Sequence, residues 1–345
     1  MGLRLRHALF ALLVASLFAS QGFAAAEPPY PVGLKQIEFT DCERKLALAM
    51  FYPAAFSDSS AKPTGLPFFT NLHLYRDAGL VEGRHPLVML SHGRGSNPLQ
   101  YAWFAETLAS QGYIVAGLYH YRANTYDQSI GYLSNKIWQR PRDISSAIDF
   151  LLKDSVSGKA IDAERIGVAG HSKGGFTRSA SAAPRSMPTN SSPSSRTGRT
   201  ISRFRPILRN ELPLDPAPAL DVRDPRIKAA FAMEPGIIKA FGMDEAGLGQ
   251  MTIPAYVTVG ARDMQTPAQE NAAFAAANIP NAKLVIIPGL VDHEIFVNEC
   301  DDEGRDEFPE ACIDAPGVDR HAIHQEVGAA ALKFFDAHLP SEGGK

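Results

Sequence analysis

A serine between two glycines is the residue with the clearest chemistry in this sequence. Residues 170–174 read Gly-His-Ser-Lys-Gly and follow an apolar run over 165–170. When this motif lies between a strand and a helix, the turn is so tight that a side chain at either glycine would collide with its neighbours. Such a turn holds the serine in a strained conformation with its hydroxyl exposed. The motif therefore predicts that Ser172 is a nucleophile.

A serine hydroxyl needs a base, and the base needs a carboxylate that orients it. In the proteins whose serine motif this one resembles, the acid and then the histidine come later in the chain. Asp263 follows an apolar run over 253–259, and His293 follows another over 283–288. These positions predict Asp263 as the acid and His293 as the base, against an ordinary turn aspartate and a structural turn histidine. Asp292 is a weaker candidate for the acid, because a residue next to the base usually points the wrong way to hold its ring.

The three other histidines downstream of the serine fall at or within the last predicted helix, where solvated histidines are expected: His321, His324 and His338.

The oxyanion formed during such a reaction needs two backbone N–H donors. The residue after the nucleophile, Lys173, supplies one, and its side chain is expected to place a cation at the edge of the pocket. The loop after the strand predicted over 86–91 supplies the other, with Arg94 as the first choice and Gly93 as the second. His92 precedes a tight glycine turn, which favours a structural hydrogen-bonding role over that of a general base.

The elements around these residues alternate between strand and helix patterns. This alternation predicts an α/β fold with a mostly parallel eight-stranded sheet and helices on both faces. The region 54–85 is interpreted as a long connection between strands. The eight strands are predicted over 35–40, 45–52, 86–91, 113–118, 165–171, 227–233, 253–259 and 283–288.

The first residues of the chain have the pattern of a secretory signal peptide. Arg4 and Arg6 precede an apolar stretch over 8–18 that is too short to span a bilayer. A signal peptide over 1–26, cleaved after Ala26, is therefore expected rather than a membrane anchor. The protein would then be periplasmic or secreted, with no stable membrane insertion. The remainder, 27–345, is interpreted as a single domain.

Charge and cysteine content narrow the possible partners and compartments. The formal net charge of −3 gives no indication of a nucleic-acid partner. In an oxidising compartment Cys300 and Cys312 could form a disulfide and leave Cys42 free, against three unpaired thiols. The acidic stretch between Cys300 and Cys312 could bind calcium, but the spacing of its acidic residues does not fit an EF-hand, and a solvated loop is favoured. No cofactor is expected.

The segment 178–210 differs from the rest of the chain. It holds seven Arg and eight Ser but no Lys, Asp or Glu. The helix that should follow Ser172 becomes polar at Arg178 and is interrupted by Pro184. Two interpretations remain open: a Ser/Pro-rich surface insertion or lid, and a local reading-frame error with a compensating shift near residue 210.

Taken together, the motifs resemble those of the α/β-hydrolase superfamily, in particular its dienelactone-hydrolase-like and platelet-activating-factor-acetylhydrolase-like serine esterases. Dienelactone hydrolases of this fold use a cysteine nucleophile where this chain has Ser172. The resemblance covers the chain from residue 27 onward except 178–210. It is carried by residues 86–96, 101–115, 140–144, 166–175, 224–229, 259–263 and by His293.

The resemblance implies an exported serine hydrolase that cleaves a small or lipid-like carboxylic ester through a Ser-His-Asp triad and an acyl-enzyme. Two alternatives stay open. One is a serine peptidase of the oligopeptidase type, for which this chain lacks room for a propeller domain. The other is a catalytically impaired hydrolase-fold binding protein, since the region after Ser172 is atypical. The sequence carries no signal of oligomeric state.

Overall fold

The computed structural model describes residues 29–55, 61–76, 78–131, 139–175, 222–236 and 243–340. The expected signal peptide over 1–26 and the unusual segment 178–210 lie outside these residues. No helix in the described ranges is both long enough and apolar enough to cross a membrane.

Strands and helices alternate along most of the described chain. The strands are β1 (Val32–Asp41), β2 (Arg44–Ala55), β3 (Lys62–Thr64), β4 (Leu74–Arg76), β5 (Gly79–Leu80), β6 (His85–Ser91), β7 (Ile114–Tyr119), β8 (Ile161–His171), β9 (Ile227–Met233), β10 (Ala255–Gly260) and β11 (Ala282–Ile287). The α-helices are α1 (Ala102–Ala109), α2 (Gln139–Lys153), α3 (Ser157–Ala160), α4 (Glu245–Gly249), α5 (Ala272–Asn278), α6 (Asp302–Glu307), α7 (Pro309–Cys312) and α8 (Arg320–His338). Two short 3-10 helices span Pro98–Tyr101 and His293–Phe296.

The strands form one mixed sheet in the order β11-β10-β9-β8-β6-β7-β2-β1-β4-β3, with β5 paired to β2. The run from β11 to β7 is parallel throughout, and β2 is antiparallel to both β7 and β1. The predicted α/β architecture is confirmed, and all eight predicted strands are present.

Within the described residues the sheet has eleven strands, three more than the eight predicted. The region 54–85, interpreted from the sequence as a connection, contains β3, β4 and β5. β4 pairs with β1 in parallel, and β3 pairs with β4. These strands are two or three residues long. Such short segments have no detectable alternation of polar and apolar residues, so their pairing depends on the neighbouring strand.

Helices cover both faces of the sheet, which explains the uninterrupted apolar runs of the central strands. Alternate residues of β6 point to opposite sides: Leu87 and Met89 join one apolar cluster, and Val88 and Leu90 join the other. On the first side α2 contributes its buried residues, and on the second side α1 and α8 contribute theirs. Because both faces are closed, polar groups can meet a ligand only at the ends of the strands.

A disulfide ties together the loop and short helices before α8. Cys300 and Cys312 are bonded, with their Cα atoms 5.6 Å apart, and Cys42 is free and exposed. The predicted pairing is confirmed. Within this loop, Asp301 caps α6 by accepting a hydrogen bond from Gly304 N–H at 2.8 Å.

Candidate active site

The turn that carries Ser172 has the strained geometry that the glycine spacing predicts. β8 ends at His171, and Ser172 has a φ of 54°, in the left-handed region that non-glycine residues rarely adopt. Three backbone hydrogen bonds hold this conformation. Ser172 N–H donates to Met233 O at 3.0 Å, and Ser172 O accepts from Gly175 N–H at 2.9 Å and from Gly236 N–H at 3.0 Å. The strain is therefore maintained by the serine's own turn and by the segment at the end of β9.

The two glycines of the motif are required by contact distances. A Cβ at Gly174 would lie 1.9 Å from Ser91 O, and a Cβ at Gly170 would lie 2.4 Å from Gly174 O. Both contacts are to backbone atoms, which cannot move without disrupting the sheet. The collision predicted from the sequence is therefore present at both positions.

Asp263 and His293 are in direct contact at the carboxyl end of the sheet. Asp263 lies just after β10, and its Oδ2 is 2.9 Å from His293 Nδ1. Asp263 Oδ1 also accepts hydrogen bonds from the N–H groups of Gln265 and Thr266. Burial by itself raises the pKa of Asp263, but the hydrogen bonds from His293 and Thr266 outweigh it and leave this pKa below its usual value. Asp263 is thus an ionised carboxylate that orients the imidazole.

Asp292, the weaker candidate for the acid, has a different contact. It caps the 3-10 helix that begins at His293, because its carboxylate accepts a hydrogen bond from Glu294 N–H. The structure therefore pairs His293 with Asp263, as the strand positions predict.

Glu234 is a second carboxyl group at this site and is not among the residues predicted from the sequence. It directly follows β9, is fully buried, and has a φ of 45°. Its Oε2 lies 3.7 Å from His293 Nδ1. Burial, and then the nearby charge of Asp263, raise the pKa of Glu234 well above its usual value, which favours its neutral form. The rule that located Asp263, a residue just past a strand end, would have found it.

His171 links the serine turn to His293. The two ring centres are 4.8 Å apart, and His171 Nε2 donates to His293 O at 3.0 Å. His171 Nδ1 is left to accept from the Tyr101 hydroxyl at 3.0 Å. Burial, and then the charge of His293, lower the pKa of His171 to about 3. His171 is therefore a neutral, fixed support between Ser172 and His293.

Three potential metal-ligating atoms lie near one another in this cluster. Ligand atoms of His171, Glu234 and His293 are within 4.8 Å of one another. Two of these atoms already have partners, since His293 Nδ1 faces Asp263 and His171 Nε2 faces a backbone carbonyl. We therefore assign the cluster to hydrogen bonding.

The loop after β6, which is predicted to supply an oxyanion donor, packs against the serine turn. A Cβ built on Gly93 would lie 3.5 Å from Ser172 Cβ and 3.2 Å from His171 Nδ1. His92 is fully buried, and its Nδ1 donates to Gly93 O at 2.8 Å. This is the structural role predicted for His92. Arg94, which follows Gly93, is exposed.

Lys173 does not place a cation at the pocket edge as expected. Its side chain is buried, and Nζ donates to Gly131 O at 2.9 Å. Burial, and then the charges of Arg140 and Arg94, lower the pKa of Lys173 to about 7. The side chain therefore points to the backbone of Gly131 instead of to solvent.

Comparisons with known proteins bear on the fold. No family model matches the chain. A bis(hydroxyethyl) terephthalate hydrolase of Streptomyces coelicolor is 29% identical over 169 residues, which are 49% of this chain and 49% of that protein. The chain thus spans about half the length of this curated relative.

Two solved structures share the fold. A ferulic acid esterase from Streptomyces cinnamoneus superposes with a TM-score of 0.62 at 20% identity, covering 92% of this chain and 93% of that chain. A dienelactone hydrolase from Anabaena variabilis superposes with a TM-score of 0.51 at 15% identity, covering 90% and 100%. These similarities confirm the fold that the sequence motifs predict.

Proposed function

We propose that this protein, which has the α/β-hydrolase fold, hydrolyses carboxylic esters with Ser172 as nucleophile, His293 as base and Asp263 as the orienting acid. The observation that carries the proposal is the 2.9 Å contact between Asp263 Oδ2 and His293 Nδ1, with the His293 ring centre 4.8 Å from that of His171, the residue before a serine in a strained turn. Asp263 is ionised and buried, so it stabilises the imidazolium that forms when His293 accepts a proton.

The first chemical step is attack of Ser172 Oγ on the ester carbonyl carbon. His293 Nδ1–H donates to Asp263, so Nε2 is the atom that accepts the serine proton. The tetrahedral intermediate then collapses and expels the alcohol, which takes that proton from His293. The products of this half-reaction are the free alcohol and an acyl-enzyme on Ser172.

The second half-reaction releases the acid. Water gives a proton to His293 Nε2 and attacks the acyl carbon, and the intermediate expels Ser172 Oγ, which recovers the proton. In both halves the backbone N–H groups of Lys173 and Arg94 donate to the oxyanion. No cofactor enters either step.

The substrate class is proposed from the relatives' names. Terephthalate and ferulate are both aromatic acids, so small esters of aromatic acids are the first candidates, followed by lipid-like esters. We also propose that the protein is exported, as the residue pattern of 1–26 and the Cys300–Cys312 disulfide support.

The deciding experiment is hydrolysis of short p-nitrophenyl and hydroxyethyl terephthalate esters by wild type and by Ser172→Ala. The substitution should lower kcat by about 10⁶-fold, as in other serine hydrolases. Ser110→Ala is the matched control, because Ser110 lies at the end of α1 and its hydroxyl donates to Thr107 O of the same helix. Retained activity in Ser172→Ala would contradict the proposal.

A second pair of variants tests the base and separates the alternatives. His293→Gln should lose esterase activity, and His321→Gln, on the exposed side of α8, should keep it. Folded wild-type protein that fails to react with a fluorophosphonate probe would favour a binding protein. Preference for peptide over ester substrates would favour a peptidase.

A further inference from the structure

Arg140, near the start of α2, is a buried cation that binds loop carbonyls. Its side chain is only 3% exposed. The guanidinium donates to His92 O, to Gly93 O at 3.1 Å and to Ala123 O at 3.3 Å. Burial lowers the pKa of Arg140 to about 10, so it remains charged at neutral pH. A buried charge that binds two consecutive carbonyls of one loop fixes the orientation of that loop.

The contact with Gly93 O determines the direction of a neighbouring N–H group. Gly93 C=O and Arg94 N–H belong to the same peptide unit, and in a trans peptide these two bonds point in opposite directions. The structure has no cis peptide in its described residues. Gly93 O accepts from Arg140 at 3.1 Å and also from His92 Nδ1 at 2.8 Å, so Arg94 N–H points to the opposite side of the loop.

The preceding peptide unit has the same orientation, and both its C=O and its N–H have partners in the structure. His92 O accepts from Arg140, and Gly93 N–H points the other way, to the Tyr101 hydroxyl at 3.4 Å. Tyr101 in turn contacts His171, the residue before the nucleophile. Gly93 also faces Ser172, because a Cβ built on Gly93 would lie 3.5 Å from Ser172 Cβ. Arg140 thus binds the side of the loop that faces away from Tyr101, His171 and Ser172.

We propose that Arg140 is a positioning residue for the oxyanion hole: by holding the carbonyls of His92 and Gly93, it directs Arg94 N–H toward the oxyanion formed at Ser172. This inference rests on the proposed esterase function. Arg140 touches no reacting atom and acts through the loop. Its removal should therefore weaken binding of the transition state while leaving binding of the substrate unchanged.

The test compares Arg140→Met and Arg140→Lys with the matched controls Arg142→Met and Arg142→Lys. Arg142 is two residues further along α2 and is exposed. Arg140→Met should lower kcat by about 10²-fold, the effect of losing one oxyanion donor, with KM changed by less than about threefold. Arg140→Lys keeps the charge but cannot hold two carbonyls in a fixed plane, so its kcat should fall by about tenfold. The Arg142 variants should match wild type.

Two binding measurements distinguish this role from general structural support. Affinity for a reversible trifluoromethyl ketone, which forms a tetrahedral adduct with the serine, should fall by the same factor as kcat. Affinity for the carboxylic acid product should stay at the wild-type value. Thermal unfolding shows which variants are folded, and Arg140→Lys carries the test if the methionine variant is not.

Three results would overturn the inference while leaving the esterase proposal intact. These are unchanged kcat in both Arg140 variants, a loss confined to KM, or a loss of kcat without a loss of ketone affinity. A wild-type protein without esterase activity would instead overturn the proposed function.

Discussion

Removal of the Asp263 carboxylate should leave His293 with a second carboxyl group close enough to replace it. Glu234 Oε2 is 3.7 Å from His293 Nδ1, compared with 2.9 Å for Asp263 Oδ2. With an effective dielectric constant of about 20, the attraction between imidazolium and carboxylate differs by about 1 kcal/mol between these distances. Asp263→Ala should therefore lower kcat by roughly 10- to 100-fold, rather than the roughly 10⁴-fold loss typical of a triad without a correctly placed acid.

The protonation state of Glu234 supports this expectation. Its pKa is raised first by burial and second by the charge of Asp263, so removal of Asp263 removes the second cause. Glu234 can then ionise beside His293, but burial still keeps its pKa above the usual value. The activity of Asp263→Ala should therefore be lost, as pH falls, at a higher pH than the activity of wild type.

The assay is a double-mutant cycle on kcat with wild type, Asp263→Ala, Glu234→Gln and the double variant. Glu234→Gln replaces a carboxyl group whose raised pKa favours the neutral form with a neutral amide, and it keeps the acceptor for Gly260 N–H. This variant should therefore stay within about threefold of wild type. The double variant should lose about 10⁴-fold. Asp292→Asn is the control for an acidic neighbour of His293 that does not face the ring.

Equal activities of Asp263→Ala and the double variant would refute this reasoning, because Glu234 would then contribute nothing. Inactivation by Glu234→Gln alone would refute it in the opposite sense, since Glu234 would already be required in wild type. Thermal unfolding of all four proteins shows whether any loss reflects unfolding, since Asp263 also accepts backbone hydrogen bonds.

Three further predictions concern the stability of the fold, and urea unfolding measures each. Replacing both Cys300 and Cys312 by serine should lower the unfolding free energy by about 3 kcal/mol, because the disulfide is lost. Cys42→Ser, at the exposed free cysteine, should leave the unfolding free energy unchanged, and equal effects of the two changes would contradict this prediction. His324, expected from the sequence to be solvated, is instead buried, and burial lowers its pKa to about 3. The unfolded state therefore takes up the His324 proton first, and stability falls as pH drops from about 6.5 toward about 3. His324→Phe should reduce the loss between about pH 7 and about pH 5 by about 2 kcal/mol, and an unchanged pH dependence would contradict the burial argument. Gly174→Ala would place its Cβ 1.9 Å from a backbone oxygen of β6 and should cost about 3 kcal/mol or more, whereas Gly65→Ala, with open space around it, should be neutral.

Much of the fold could be predicted from the sequence because its physical causes are local. A strand buried on both faces must be largely apolar along its length, so β6, β7 and β10 can be recognised in the sequence as continuous apolar runs. The serine turn requires glycine on both sides for steric reasons, which makes its spacing visible in the chain. Asp263 and His293 could be found because residues just past parallel strands meet at one edge of the sheet.

Other features depend on partners far away in the chain and have no local pattern. Arg140 binds carbonyls that are 48 and 47 positions earlier, and His171 contacts a carbonyl 122 positions later. Nothing near either residue in the chain indicates such partners. The inward direction of Lys173 likewise depends on Gly131, which tertiary folding brings to its side chain.

The sequence by itself therefore determined the α/β architecture, the strained Ser172 turn and the order of acid and base, because each follows from steric or burial demands within a short segment. Tertiary structure alone decided that Glu234 lies beside Asp263 and His293, that the Lys173 side chain reaches Gly131, and that Arg140 holds the loop before Arg94. These outcomes depend on distances between side chains from different strands, and such distances are set only when the sheet and its helices pack together.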